Sequence, residues 1–486
     1  MSILLALAFL PLPAQPQDLK EVAVLETSRD PAGLVLVNSL SLEDDWLAAG
    51  GADPDGFEAQ ALFQRDSRGW TLARVPANGS LVDLDGERYA TSDSENQETT
   101  IVRRDGAGWA LEARMRQAYS SLDGQRLVTS GFDPRGHARV QAWSLESGTW
   151  QPDGELVPLA PQRPYEGAFP LELSGDTAAF AARGSSGDAA VQVFLRGRAG
   201  WSLAAELVPA ELLGSGLGDL GAIQLHGDTL AAVFSGAGER AVFVWEREQG
   251  AWHERARIPA GGEVWSMALE DDTLALGLGD LGVVQLHERS LGRWYPGARL
   301  HASSGEGIGR AVALQGRMVA AASNATRATG AGRVFLYRVP PYARLTSYGC
   351  GFNPDGSLVV LAGTPKAGGT IRLGLDNPLG TQTPGALAVL GLSPQPDKNY
   401  PCGTLVPRAG MAGGPGELLI PGNGLIRNVG VWSGMGQPVG TDLVIPMNLA
   451  LVGRTYYVQG ALLDLRPRAR VRLGLTQALE LDIGAP

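Results

Sequence analysis

Apolar and polar residues alternate in short runs along most of the chain, the two-residue period of half-buried β-strands. ALFQRD, TTIVRRD, RVQAWSLE, AVQVFLRG, RAVFVWERE and GVVQLHERS are such runs, and a Trp follows each, at Trp70, Trp109, Trp150, Trp201, Trp252 and Trp294. Upstream of each run stands a tight turn leading into a small apolar strand. The turns are Asp44-Asp45, Asp85-Gly86, Asp123-Gly124, Gly175-Asp176, Gly227-Asp228, Asp271-Asp272 and Gln315-Gly316. The strands after them read WLAAGG, RYATSD, RLVTSG, TAAFAA, TLAAVF, TLALGL and RMVAAA. Asp and Gly suit such turns because both tolerate left-handed backbone angles.

The Trp spacings of 39, 41, 51, 51 and 42 residues leave room for four strands and their turns. That is the size of a β-propeller blade and too little for a row of sandwich domains. Seven turns stand against six repeat Trp residues. The seventh unit ends at Pro340-Pro341 without an outer strand. In DLKEVAVLE, Leu19 lies six residues before Leu25, as Trp109 lies before Met115 and Trp294 before Leu300. Residues 19–26 are therefore expected to complete the last blade, which removes an exposed sheet edge. The fold class expected is all-β: a seven-bladed β-propeller over residues 15–344, then a small β-sandwich over 345–486.

No Gly-His with Trp-Asp signature recurs in the blades, nor a Gly-Gly pair. Over roughly residues 17–344 they instead resemble the FG-GAP repeats of integrin α-chain heads and many secreted bacterial proteins. Gly307-Ile308-Gly309 stands where that family has Phe-Gly, and Ala320-Ala321-Ala322 where it has Gly-Ala-Pro. Thr329–Arg338 (TGAGRVFLYR) is close to the family's third strand, and Leu47–Ala52 is similarly placed in unit one. The resemblance implies the fold and leaves the activity open. It also implies a calcium loop, for which Asp53, Asp55 and Glu58 are the nearest candidates. Calcium needs six to eight oxygen ligands, and with Pro54 in the loop and no further acid, a solvated turn is the stronger expectation there.

Beyond Pro340-Pro341 the Trp repeat stops, and residues 345–486 hold 10 basic against 8 acidic residues. Strand-like runs continue between Gly/Pro-rich turns with no helical period, the pattern of a sandwich. By pattern alone, this module resembles the all-β modules found behind secreted bacterial propellers. Cys350 and Cys402, the only cysteines, are expected to form one disulfide. Arg466, Arg468, Arg470 and Arg472 alternate with Pro467, Ala469, Val471 and Leu473, which on a strand would put four guanidinium groups on one face. Such a row would grip carboxylates or sulfates of a polysaccharide, or serve as a charged edge or solvated face. Trp265 and Trp432 break the Trp repeat, as does Trp46, and the first two are candidates for stacking on a ligand.

Composition narrows the partners. Of 486 residues 66 are Gly, about twice the usual share of roughly 7%, yet 44% are hydrophobic, enough for a core. The net charge is -11 with no basic block, which argues against a nucleic-acid partner. Residues 1–14 read as a secretory signal whose apolar run, Ile3–Leu10, is too short to span a bilayer, and no transmembrane segment is expected in the mature chain. The expected address is secreted, periplasmic or cell-surface. No nucleophile elbow is found, and the five His residues are scattered. The function expected is an exported, non-catalytic scaffold binding protein or glycan ligands without a cofactor. A polysaccharide-active lyase or hydrolase working in the propeller channel is the alternative, and clustered His, Asp or Glu in that channel would mark it.

Overall fold

The computed structural model describes residues 21–485 apart from 27–35, 54, 56, 74–78, 94–95, 107, 133–137, 160–169, 186–187, 211–218, 237–238, 291, 324–331, 340–342, 423 and 468. The expected signal segment and Arg468 lie outside these residues. Packing divides the chain into two compact units, one of residues 19–288 with 293–339, the other containing 289–292 and 340–486.

The first unit is a seven-bladed β-propeller of seven four-stranded antiparallel sheets. The inner strands are Leu36–Glu43, Leu81–Asp85, Tyr119–Asp123, Leu171–Ser174, Asp219–His226, Val264–Glu270 and Ile308–Gln315, in blades one to seven. In blades one to six each sheet runs in chain order from inner to outer strand. In blade seven the outer position is taken by Glu21–Glu26, antiparallel to Arg333–Arg338, so the two ends of this unit share one sheet.

Its core is a series of layers between blades. Trp46, Ala48 and Leu62 of blade one meet Leu84, Tyr89 and Val102 of blade two, and Val128, Val140 and Leu156 of blade three meet Leu171, Leu173 and Phe180 of blade four. Because side chains alternate along a strand, the second strand of a blade faces both neighbours. Ala178 packs towards blade three and Ala179 towards blade five. With both faces covered, second strands such as Thr177–Arg183 are apolar almost throughout. The second strand of blade six and the inner strand of blade seven approach closely enough that a Cβ at Gly277 would collide with the Gly309 carbonyl.

The repeat Trp occupies the second position of each outer strand. Three positions later the outer strands of blades two to five carry the extra residue of a β-bulge: Glu112, Asp153, Ala204 and Arg255. The bulge re-aims this residue. Glu112 accepts the indole N–H of Trp150 at 3.0 Å, and Asp153 that of Trp201 at 3.0 Å, each from the next blade. Arg88 grips Glu112 with two bonds and Arg196 grips Asp153 likewise, which holds both carboxylates below their ordinary range against the opposing effect of burial. Ala204 and Arg255 offer no acceptor, and the indole nitrogens of Trp252 and Trp294 are buried without partners.

The second unit is a β-sandwich. A five-stranded sheet orders Arg344–Tyr348, Leu473–Asp482, Thr455–Leu463, Leu387–Ser393 and Leu425–Val431, and a three-stranded sheet orders Leu358–Ala362, Thr370–Leu375 and Val439–Val444. One core joins them through Leu358, Ile371, Leu373 and Leu443 on one side and Leu345, Val458, Leu479 and Leu481 on the other. Cys350 and Cys402 are disulfide-bonded across 52 residues, a closure expected to contribute roughly 4 kcal/mol.

The orphaned indoles generate a prediction. Ala204 is exposed, so Ala204→Asp supplies the acceptor that Trp252 lacks and should stabilise the propeller by about 1 kcal/mol. Its midpoint in urea should rise, whereas the same change in a Trp252→Phe background should have no such effect.

Candidate functional site

The seven inner strands surround a channel of about 430 Å³. Side chains alternate along each strand, so lining positions two residues apart form rings. An upper ring holds Ser39, Leu81, Tyr119, Pro170, Ala222, Ser266 and Ala311, and a middle ring holds Ser41, Asp83, Ser121, Glu172, Gln224, Ala268 and Ala313. Two residues further along, at the strand ends, come Glu43, Asp85, Asp123, Ser174, His226, Glu270 and Gln315.

These side chains join the blades. An inner strand has a free edge whose N–H groups need acceptors, and the preceding blade supplies several. Ser41 Oγ accepts the Leu84 N–H at 2.9 Å, Asp83 Oδ2 that of Leu122 at 2.7 Å, and Ser121 Oγ that of Leu173 at 3.0 Å. Gln224 donates to Glu172 Oε1 at 2.8 Å. At the strand ends Asp85, Asp123 and Glu270 accept the turn N–H groups of Gly124, Gly175 and Gly316, while His226 Nε2 lies 3.2 Å from Asp271 Oδ1. Arg310 of blade seven donates to Asn38 Oδ1 of blade one at 2.9 Å, which closes the circle.

The polar arc Ser41–Asp83–Ser121–Glu172–Gln224 spans five blades and faces Ala268 and Ala313 on the other two. Asp83 and Glu172 stand half-buried at the channel wall, and enclosure disfavours a charge. Burial, reinforced by Asp85 and Asp123, pushes Asp83 up to about 7. Burial and the nearby charge of Asp83 push Glu172 well above the carboxylate range. Glu43 is raised to about 7 by burial, then by Asp85, Asp44 and Glu270.

At the other end of the inner strands, Trp265 is 40% exposed. Its ring packs against Gly279, where a Cβ would collide with it. The Arg310 guanidinium lies 5.7 Å from the ring centre, and the indole bonds Glu263, which with Arg240 holds that carboxylate below its ordinary range. Trp265 directly precedes Ser266 of the channel lining.

The others are placed elsewhere. Trp432 is 1% exposed inside the sandwich core and donates to Asp376 Oδ1 at 2.8 Å, so it offers no ligand surface. The expected Arg strand is a connecting loop between Leu463 and Leu473. Pro467 has no N–H for a ladder, and Asp464 holds both the backbone N–H and the guanidinium of Arg466. The loop doubles back with Asp464 N–H bonded to the Arg472 carbonyl at 2.8 Å; Arg466, Arg470 and Arg472 therefore do not share a strand face. Asp53 Oδ1 is used within its own turn by the Phe57 N–H at 2.9 Å. Among the described residues Asp53, Asp55 and Glu58 do not bring their oxygens together as a metal-ligand group.

Asp83 and Glu172 escaped the sequence reading, although a signal for them exists. A Leu stands next to last in every inner strand, at Leu42, Leu84, Leu122, Leu173, Leu225, Leu269 and Leu314. The residue before it is the one in the middle ring, so acids there mark the channel wall.

No family model matches the chain and no curated protein matches it. Several solved structures are similar to it. The β-propeller domain of the Trilobed protease from Pyrococcus furiosus is 10% identical, with 63% of this chain and 95% of that one covered at a TM-score of 0.42. A Bacteroides uniformis protein provisionally named a 6-phosphogluconolactonase is 14% identical, with 56% and 88% covered at a TM-score of 0.40. A Lactobacillus plantarum protein is 15% identical, with 55% and 85% covered at a TM-score of 0.38. These likenesses concern the path of the chain and carry nothing about activity.

The raised carboxyls fix the sign of a pH dependence. A carboxyl whose folded pKa is raised contributes stability below its unfolded pKa of about 4 and loses it as pH rises through the folded value. Buried His287, lowered to about 4 by burial, acts oppositely, but its contribution is complete above about pH 6.5. Between about pH 6.5 and 8 the melting temperature of the propeller should therefore fall. Asp83→Asn, which can still accept the Leu122 N–H, should flatten that fall. A melting temperature that rises over this interval would contradict the assignment.

Proposed function

We propose that the chain is a ligand-binding propeller scaffold that takes a glycan at the mouth of its channel. The observation that carries this reading is the exposed indole of Trp265, beside Arg310 and Glu263, on the inner strand whose next residue, Ser266, lines a channel rich in hydroxyl, amide and carboxyl groups. An indole offers an apolar face to the C–H side of a sugar ring. Ser39, Ser121, Asp83, Glu172 and Gln224 offer donors and acceptors to its hydroxyls. Work outside the cytoplasm is part of the proposal, supported by the Cys350–Cys402 bond and the apolar run at Ile3–Leu10. The likeness of the blades to FG-GAP repeats, through Gly307-Ile308-Gly309 and Ala320-Ala321-Ala322, favours the same setting. Nucleic acid is left out as a partner because 51 acidic residues outnumber 40 basic ones without a basic block. Among the described residues no helix is long and apolar enough to cross a membrane.

A second reading has a specific observation behind it. Asp83 and Glu172 share one enclosed channel, and that enclosure raises both carboxyls above their ordinary range, as the general acid of polysaccharide cleavage requires of one of its two carboxyls.

One experiment separates the readings. Purified protein is screened on a glycan array, and the glycans it binds are then tested for release of reducing ends. Binding without release is expected, with Trp265→Ala weakening it about tenfold, or ~1.4 kcal/mol. Release of reducing ends that is abolished by Asp83→Asn or Glu172→Gln would replace the scaffold reading with the enzymatic one. Glycan binding unchanged in Trp265→Ala would remove the mouth as the site.

A further inference from the structure

The sandwich gathers three tyrosines from distant parts of the chain. Tyr348 ends the strand Arg344–Tyr348, Tyr457 lies on Thr455–Leu463, and Tyr400 sits in the loop leading to Cys402. Their ring centres are 5.3 Å apart for Tyr348–Tyr400, 5.8 Å for Tyr348–Tyr457 and 6.1 Å for Tyr400–Tyr457, with planes inclined at 51°, 83° and 70°. In such tilted contacts the positive edge of one ring meets the negative face of another. Tyr400 is 47% exposed, and its loop is fixed by its own N–H bonded to the Asp397 carbonyl at 3.0 Å and by the nearby disulfide. The rings are therefore presented with little ordering left to do on binding.

Carboxylates lie beside them. Strand register sets Glu480 opposite Tyr457 and Thr346, and Asp482 opposite Thr455 and Arg344. This is the face turned away from the core residues Leu345, Val458, Leu479 and Leu481. Tyr400 donates to Glu480 Oε2 at 2.9 Å, and Thr455 to Asp482 Oδ1 at 2.6 Å. Among the described residues neither carboxylate has an ion-pair partner, although Arg344 is opposite Asp482 and Lys398 is exposed in the Tyr400 loop. The hydrogen bond to Glu480, then burial and the neighbouring negative charges, push Tyr400 up to about 12, which marks the region as electronegative.

We propose that this patch binds the lysine or arginine side chain of a partner protein, with the cation over the faces of Tyr400 and Tyr457 and its charge met by Glu480 and Asp482. Charge complementarity selects the occupant. Aromatic faces attract cations, and two carboxylates without basic partners add to that field. A neutral sugar would draw on the rings and leave the charge unmatched. The proposal is independent of the channel reading.

The test measures binding of a fluorescent peptide of alternating Lys and Gly to the full chain, beside a counterpart with norleucine for Lys. The lysine peptide should bind, and the norleucine peptide should bind about tenfold more weakly or less. Tyr400→Ala and Glu480→Gln should each weaken the lysine peptide about fivefold, whereas Tyr400→Phe, which keeps the ring, should retain most of the affinity. Unchanged melting of the sandwich in Glu480→Gln separates loss of the site from loss of the fold. Equal binding of the two peptides would overturn the proposal, as would lysine-peptide binding unaffected by Tyr400→Ala and Glu480→Gln. Displacement of the lysine peptide by a neutral oligosaccharide would overturn it in favour of a sugar platform.

Discussion

Each of the seven sheets has an inner edge with no strand beside it, and the unpaired N–H groups on those edges are the constraint on which the ring depends. An open edge is a liability in water and a cost when enclosed. The chain meets it with short polar side chains projected from one blade to the next: Ser41 to Leu84, Asp83 to Leu122, Ser121 to Leu173. The same device at the strand ends caps the hairpin turns of blades three, four and seven. Apolar layers of Ala, Leu and Val hold the blades face to face, but they specify no vertical offset between them. The polar bonds supply one, because each acceptor meets one particular N–H of the next inner strand, and a slip by one residue would leave both unpaired.

This arrangement ties stability to the chemistry of the channel. A side chain that caps the next blade must stand at the channel wall, so the latch residues are also the lining. Where the latch is Ser, the result is a neutral wall. Where it is Asp83, with Glu172 nearby, the ring encloses carboxyls that resist ionisation. Asparagine at position 83 would cap Leu122 without that cost. An acid in its place is what a polar ligand site in the channel would employ, and Trp265 directly precedes Ser266 of the same channel's lining. The outer rim follows a parallel rule, in which bulge residues Glu112 and Asp153 meet the indoles of the next blade.

The ring was legible because its signals are local and repeated. A turn, an apolar strand and a Trp recur at a period one blade long, and the strand at Glu21–Glu26 carries the spacing of an outer strand without its Trp. The channel was less legible. The Leu that follows Asp83 marks its place in the strand, but its enclosure appears only when seven strands surround it. Two readings, one from alternation and one from a break in the Trp repeat, failed for definite reasons. Alternating Arg residues spell a strand only if the backbone can pair, and Pro467 with the Asp464–Arg466 bonds makes that segment a loop. Trp432 breaks the repeat because it belongs to a different core, where Asp376 receives its N–H. The tyrosine patch joins residues up to 109 positions apart, from Tyr348 to Tyr457; the register of the five-stranded sheet brings these two together, and the loop before Cys402 adds Tyr400.

The most direct test of this account is amide hydrogen exchange, resolved by residue, on the inner strands of the folded protein. If the latches close the free edges, the N–H groups of Leu84, Leu122 and Leu173 exchange as slowly as those of the paired second strands, and Ser121→Ala speeds exchange at Leu173 while leaving Leu84 unchanged. Rapid exchange at all three in the unaltered protein, as at an open sheet edge, would contradict it.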